Sequence, residues 1–221
     1  MSDCHRWNAV VLYAMAMALL EAAAVTYLRS LLGRIDPYQP FPLPVPVRLM
    51  RVELAREAAT LVMLGAVAWL AGRERRARIG YFALAFGVWD IFYYLFLVPM
   101  SGWPRSPLDW DVLFLIPLPW WGPVLAPALI ALLLIAGGTL VSQFSRADRA
   151  LWPRRWALAA GAAGVALALY LFMFDALHAP QWSAQVLGRV LPTKFDWPLF
   201  SLALALMCVP LADLVRQLRW R

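Results

Sequence analysis

Three carboxylates stand inside candidate membrane spans: Glu21 in LYAMAMALLEAAAV and Asp90 in FGVWDIFYYLFLVP, both otherwise apolar, and Glu57 in VELAREAATLVML, where the first half of the span is polar. An acid at the centre of a membrane-spanning helix costs about 2.5–3.5 kcal/mol on insertion scales, so each is expected to face neighbouring helices or a wet cavity. Acids gathered in such a place have the chemistry to hold a proton, a cation or a small polar ligand. Their surroundings point the same way. Glu57 is one helical turn from Glu53 and near Thr60, Arg56 follows Glu53 at i+3, and Asp90 lies between Gly87 and Ala83 on one side and Tyr93 and Tyr94 on the other. Glu21 shares its helical face with Ala14, Ala18 and Ala24, small residues suited to close helix contact. The competing reading is a buried polar staple, with Arg56 paired to Asp90 or Glu57 and the tyrosine hydroxyls supplying the remaining hydrogen bonds.

Two further groups belong to the candidate chemistry. Asp175 and His178 are three residues apart at the end of an apolar segment, and a carboxylate-rich divalent site using Glu21, Glu53, Glu57, Asp90 and His178 is chemically conceivable, although its spacing matches no metal motif. A lone histidine at a helix end is more commonly a solvated interfacial residue. Trp120 and Trp121, adjacent within PLPWWGP, are candidates for the wall of a site for a lipid tail, quinone or isoprenoid, whereas most of the other tryptophans read as headgroup anchors. Asp109 and Asp111 flank Trp110 and are expected to cap a short helix there.

The elements that must carry these residues follow from composition. Of 221 residues, 63% are hydrophobic and only 15% charged, where soluble domains carry nearer a quarter, so the chain reads as an integral membrane protein. The net charge of +7 is almost all arginine, Lys194 being the single lysine. The arginines lie in short loops between apolar runs, as topology determinants facing anionic lipid do, and no soluble basic domain is present to bind nucleic acid. Cys4 and Cys208 form no CxxC or CxxCH pattern, and His5 is expected on the opposite membrane face from His178, so thiol redox centres, iron–sulfur clusters, c-type haem, bis-histidine haem b and desaturase histidine boxes find no support. Walker, dinucleotide-binding, GxSxG and HExxH patterns are likewise missing from the sequence.

A spanning helix needs about 20 mostly apolar residues. Six segments meet that requirement, at about 9–32, 47–71, 79–98, 122–141, 156–174 and 197–214, in one helical-bundle domain over 1–221. The N-terminal stretch resembles a signal peptide, with Arg6, an apolar core and Ala22–Ala24. It is expected to be a retained first span because the apolar run continues to Leu32. Prolines at 37, 40, 42, 44 and 46 call for an extended crossing between the first two spans. Prolines 117, 119, 123 and 127 rule out one straight helix over 112–141, so SPLDWDVLFLIPLPWWGP is expected to be a short interfacial or re-entrant element before the fourth span. A polar loop at 175–196, with a short helix after Ser183, precedes the sixth span. The motifs RERRAR (73–78), SRADRALWPRR (145–155) and RQLRWR (216–221) then fall on one side, which the positive-inside pattern makes cytoplasmic, with both termini. Arg48, Arg51 and Arg56 lie on the other side, against that pattern. On this topology Glu21, Glu57 and Asp90 each lie about nine residues, ~13 Å, below the outer ends of three consecutive helices.

FGVWDIFYYLFL followed by LDWDVLFLIPLPWWGPVLAPALIA resembles a family of small, uncharacterised bacterial inner-membrane proteins, from about Val52 through Ile135 with a weaker echo in LPTKFDWPLF. The resemblance implies a bacterial inner-membrane location and attaches no activity, cofactor or catalytic residue. The expectation is therefore an all-α polytopic bundle with an outward-facing acidic pocket. Its ligand set would be Glu21, Glu53, Arg56, Glu57, Asp90, Tyr94, Trp120 and Trp121, binding or passing a small ligand, cation or proton. Two alternatives remain beside it. One is a membrane enzyme on a lipid-soluble substrate, with Asp90, Glu57 or His178 as acid/base groups. The other is an accessory subunit of a larger membrane complex whose buried charges are structural. No cofactor is indicated.

Overall fold

The computed structural model describes residues 3–39, 47–144, 151–179, 191–192 and 194–219. Within them run α1 (Asp3–Leu31), α2 (Val47–Ala71), α3 (Arg75–Ser101), a hairpin of β1 (Trp110–Phe114) and β2 (Trp120–Pro123), α4 (Leu125–Phe144), α5 (Arg155–Phe172), a single turn α6 (Phe174–Leu177) and α7 (Trp197–Arg219). Six of these helices are long and apolar enough to cross a membrane: α1 to α5 and α7. The chain is an all-α, multi-pass membrane protein, and the hairpin is the one sheet among the described residues.

Large apolar side chains lie exposed on all six long helices, Leu20, Leu70, Leu95, Leu132, Val165 and Leu202 among them. In lipid such a face costs nothing, and helices associate instead by close packing and hydrogen bonds. Small residues supply the close packing. At the α3–α4 contact a Cβ on Gly138 would sit 2.5 Å from the Gly80 carbonyl oxygen, and one on Gly87 would sit 2.6 Å from that of Ala131. At the α5–α7 contact Gly164 faces the Ala203 carbonyl at 2.6 Å on the same construction, and Gly161 receives the ring of Pro210. α3 is the central helix, packed against α1, α2 and α4, and α4 in turn meets α7. Trp7 Nε1 on α1 donates to Thr139 Oγ1 on α4 at 3.1 Å, which closes the group.

The six spans alternate in direction, so one end of the bundle gathers the end of α1, the start of α2, the hairpin and the start of α7. The other gathers Arg6, Arg73, Arg75, Arg76, Arg78, Arg154, Arg155, Arg216 and Arg219. At that arginine-rich end buried Asp213 accepts the Arg154 backbone N–H at 2.8 Å and Gln217 Nε2 at 2.9 Å, tying the start of α5 to the end of α7.

The helical boundaries move by a few residues from those expected: α3 opens at Arg75 rather than near 79 and runs on to Ser101, α4 opens at Leu125, and α7 continues to Arg219. The larger correction concerns 106–123. No short helix forms there. Aromatic and branched residues bounded by prolines make an antiparallel pair with Trp110 opposite Pro123 and Val112 opposite Trp121. Asp109 and Asp111 consequently cap no helix. Asp109 accepts the Arg105 and Ser106 N–H groups in the turn before β1, at 2.7 and 3.1 Å, and Asp111 turns inward. Asp175 and His178 do not extend α5; they lie on and just after α6. The short helix expected after Ser183, and most of the Pro-rich crossing, lie outside the described residues.

Candidate functional site

At the hairpin end α1, α2, α3 and β1 enclose a cavity of about 170 Å³. Its lining reaches from Thr60 and Trp89, deep in α2 and α3, to Leu32, Arg34, Pro37 and Met50 at the bundle end. At 1.5 Å per residue, Asp90 lies roughly 16 Å back from the end of α3 at Ser101. Four carboxylates line the space (Glu21, Glu53, Glu57, Asp90) with three arginines (Arg29, Arg34, Arg56), and Trp89, Tyr93, Tyr94 and Phe114 give it aromatic walls.

Each charge has its own arrangement. Arg56 forks between two acids: Nε meets Glu53 Oε2 at 3.0 Å, Nη2 meets Glu53 Oε1, and Nη1 meets Glu21 Oε1 across the α1–α2 seam. A planar guanidinium with five donors suits this double engagement. Glu21 Oε2 also accepts the Thr60 hydroxyl at 3.0 Å. Glu57, almost fully buried, turns toward the hairpin, where both its oxygens accept the Leu115 N–H at 3.1–3.2 Å. Asp111, 1% exposed, holds the hairpin from the other side. Its Oδ1 meets Arg29 Nη2 at 2.8 Å and the Val112 N–H at 2.9 Å, and its Oδ2 accepts the Tyr94 hydroxyl at 3.2 Å. Burial pushes the Asp111 carboxyl above its ordinary range while Arg29 draws it back down. Arg29 in turn lies over the Trp103 ring at 4.3 Å, a cation–π placement.

Asp90 differs from all of these. It lines the cavity, yet its buried Oδ2 has no hydrogen-bond partner among the described residues. The neighbouring indole, Trp89 Nε1, is likewise buried without one. Buried polar atoms are paired in the great majority of cases, so a carboxylate oxygen left open beside a cavity is unusual.

The structure therefore brings Glu21, Glu53, Arg56, Glu57, Asp90 and Tyr94 to one cavity and leaves other candidates elsewhere. Arg56 pairs with Glu21 and Glu53, not with Asp90 or Glu57, because α2 turns its Glu53–Arg56 face to α1. Trp120 and Trp121 do not line the cavity. The β2 register directs them away, Trp120 stacking on Phe172 of α5 at 6.4 Å and Trp121 burying edge-on to Tyr38. His178 sits apart, its ring against Phe174 at 4.2 Å and its Nδ1 2.8 Å from the Phe174 carbonyl oxygen. Burial raises the carboxyl of its neighbour Asp175. Glu57, Asp90 and His178 thus do not assemble as a metal site, and no group of three metal-ligating side chains occurs among the described residues. The sequence reading missed Arg29, Asp111, Trp89 and Phe114. An unmatched cation in the last turn of α1 and an unmatched acid beyond Trp110 were the available signal for the first pair.

No protein-family model matches the chain, and no curated protein or solved structure is significantly similar to it.

Proposed function

We propose that the cavity at the hairpin end is a binding or passage site for a small ligand, cation or proton, with Asp90 as its ligand-contacting group. The observation that carries this reading is the open, buried Oδ2 of Asp90 beside a space large enough to fill. Every other acid in contact with the cavity has a cation or an N–H donor inside the protein, so a purely structural staple leaves Asp90 unexplained. An unsatisfied acid in a span costs several kcal/mol, and a ligand that donates to it offsets that cost.

A structure of the protein purified from its own membranes, with metal and lipid analysis of the same sample, tests this. The expected result is non-protein density within hydrogen-bond distance of Asp90 Oδ2; a collapsed, dry cavity with Asp90 paired to Arg29 or Arg56 overturns it.

The same reading puts the protein in a bacterial inner membrane, as the family resemblance implies, with the hairpin end on the periplasmic side and both termini in the cytoplasm. The arginine clusters at the opposite end support that orientation. The arginines at the hairpin end, Arg29, Arg34, Arg48, Arg51, Arg56 and Arg105, run against it, although Arg29 and Arg56 pair inside the bundle with Asp111, Glu21 and Glu53. Green fluorescent protein fused after Arg221 is expected to fluoresce, and a dark fusion that becomes active as a periplasmic alkaline phosphatase fusion reverses the assignment.

A further inference from the structure

Resting on that reading, we propose that the cavity's ligand is a small organic monocation, an ammonium or guanidinium attached to a ring or short apolar chain. Its N–H groups would meet Asp90 and its carbon frame the aromatic wall.

The argument starts from what the carboxylates have left to offer. Glu21 and Glu53 share the guanidinium of Arg56, and Glu57 accepts the single Leu115 N–H between its two oxygens. Asp111 is held by Arg29, Tyr94 and Val112. Asp90 alone among the carboxylates lining the cavity has a buried oxygen that no donor among the described residues reaches. A divalent metal asks for several oxygen or nitrogen ligands at once, and no group of three metal-ligating side chains occurs among the described residues. A single positive charge carrying N–H donors matches Asp90 in both charge and hydrogen-bond sense.

The walls favour an organic cation over a bare ion. Trp89 stacks on Tyr93 at 6.3 Å and meets Phe114 edge-on at 6.4 Å, so three of the aromatic side chains that line the cavity with Asp90 contact one another. Aromatic rings attract a desolvated ammonium or guanidinium and shelter an attached hydrocarbon. A strongly hydrated Na⁺ gains far less from such a wall. The volume agrees: a cavity of about 150 Å³ holds a benzene ring, so the space seats a ligand of benzylamine size. The unpaired Trp89 Nε1 adds a donor for a ligand that carries an acceptor as well.

Isothermal titration of the full-length protein in nanodiscs tests the assignment, with benzylammonium, butylammonium, benzyl alcohol, Na⁺ and Mn²⁺ as probes. Benzylammonium is expected to bind at least tenfold more tightly than benzyl alcohol. Asp90→Asn should erase that preference while leaving the alcohol's affinity unchanged, and Trp89→Leu should weaken benzylammonium at least threefold. Equal affinity for ammonium and alcohol, or an ammonium preference that survives Asp90→Asn, overturns the inference. Asp90-dependent binding of Na⁺ or Mn²⁺ without organic-cation binding overturns it too but leaves the cavity reading standing; no binding of any probe together with a dry, collapsed cavity removes both. If Asp90→Asn fails to accumulate, labelling of the wild-type chain with dicyclohexylcarbodiimide replaces it. Benzylammonium must then protect Asp90 and benzyl alcohol must not, and equal protection overturns the inference.

Discussion

The bundle joins its helices in two different ways. Along the α5–α7 seam the backbones touch through Gly161, Gly164 and Ala203, the neighbours are Phe172, Phe200 and other apolar side chains, and the buried acid, Asp213, waits at the arginine-rich end. Along the α1–α2–α3 seam an apolar half built on Ala14, Ala18, Leu64, Leu84 and Ala85 gives way toward the hairpin end to a charged one, where Glu21, Glu53, Arg56, Thr60 and Glu57 lie between the helices beside a cavity and Asp90. Both kinds of seam hold spans together in one chain. The α5–α7 contact rests mainly on small and apolar residues with one buried acid at its end, so the concentration of charge in the other seam, with its larger desolvation cost, calls for a reason beyond adhesion.

Substitutions on each side make the contrast measurable. The largest effect is expected at Arg56→Met, which leaves Glu21 and Glu53 facing each other without a cation. Breaking a buried pair from one side costs about 3–5 kcal/mol, and the partial exposure of Arg56 places this case near the lower figure. Thermal unfolding in detergent reads it, and adding Glu21→Gln and Glu53→Gln to the same chain should restore much of the loss. No rescue would mean that Arg56 matters as packing and not as charge. Next comes Gly164→Val on the apolar seam. The new side chain collides with the Ala203 carbonyl and Met207, and overpacking of this kind costs about 1–3 kcal/mol, read as loss of the folded peak by size exclusion after mild heating. The smallest effect is expected at Asp90→Asn. Its Oδ2 has no partner to lose and the amide removes an unmatched buried acid, so the variant should unfold no more easily than the parent, whereas a loss near ~2 kcal/mol would return Asp90 to the staple and merge the two halves of the comparison.

Much of the framework is legible in the sequence because lipid imposes a length and a composition on every span. The six apolar runs become six long helices, with ends shifted by a few residues. Counting residues from the span ends, together with helical phase, is also enough to bring Glu21, Glu57 and Asp90 to the same space, since the helix rise is fixed. Partner choice is harder to read. Whether Arg56 meets Glu21 or Asp90 depends on the rotation of α2 against α1, which tertiary packing sets and local pattern does not. The hairpin is harder still: DVLFLIPLPWWGP is a short apolar run that periodicity cannot assign to strand or helix, and its prolines exclude only the long helix. Once it is a hairpin, Trp120 packs on α5 and Trp121 against Tyr38, and Leu113, Phe114 and Leu115 line the cavity in their place. His178 follows the single turn of α6 and so leaves the face it shares with α5 in a straight-helix projection.

The ion pairs and hydrogen bonds around the cavity also differ in how far apart their partners lie along the chain, and that spacing is a timetable for synthesis. Glu53 and Arg56 are three residues apart and meet as soon as α2 forms. Glu21 must then wait inside the membrane until Arg56 has emerged. Glu57 gains the Leu115 N–H only 58 residues later, and Arg29 is matched by Asp111 only after 82. The first three spans therefore enter the bilayer with part of their charge unmatched, and the hairpin, arriving last, is the piece that closes the polar core of a nascent chain.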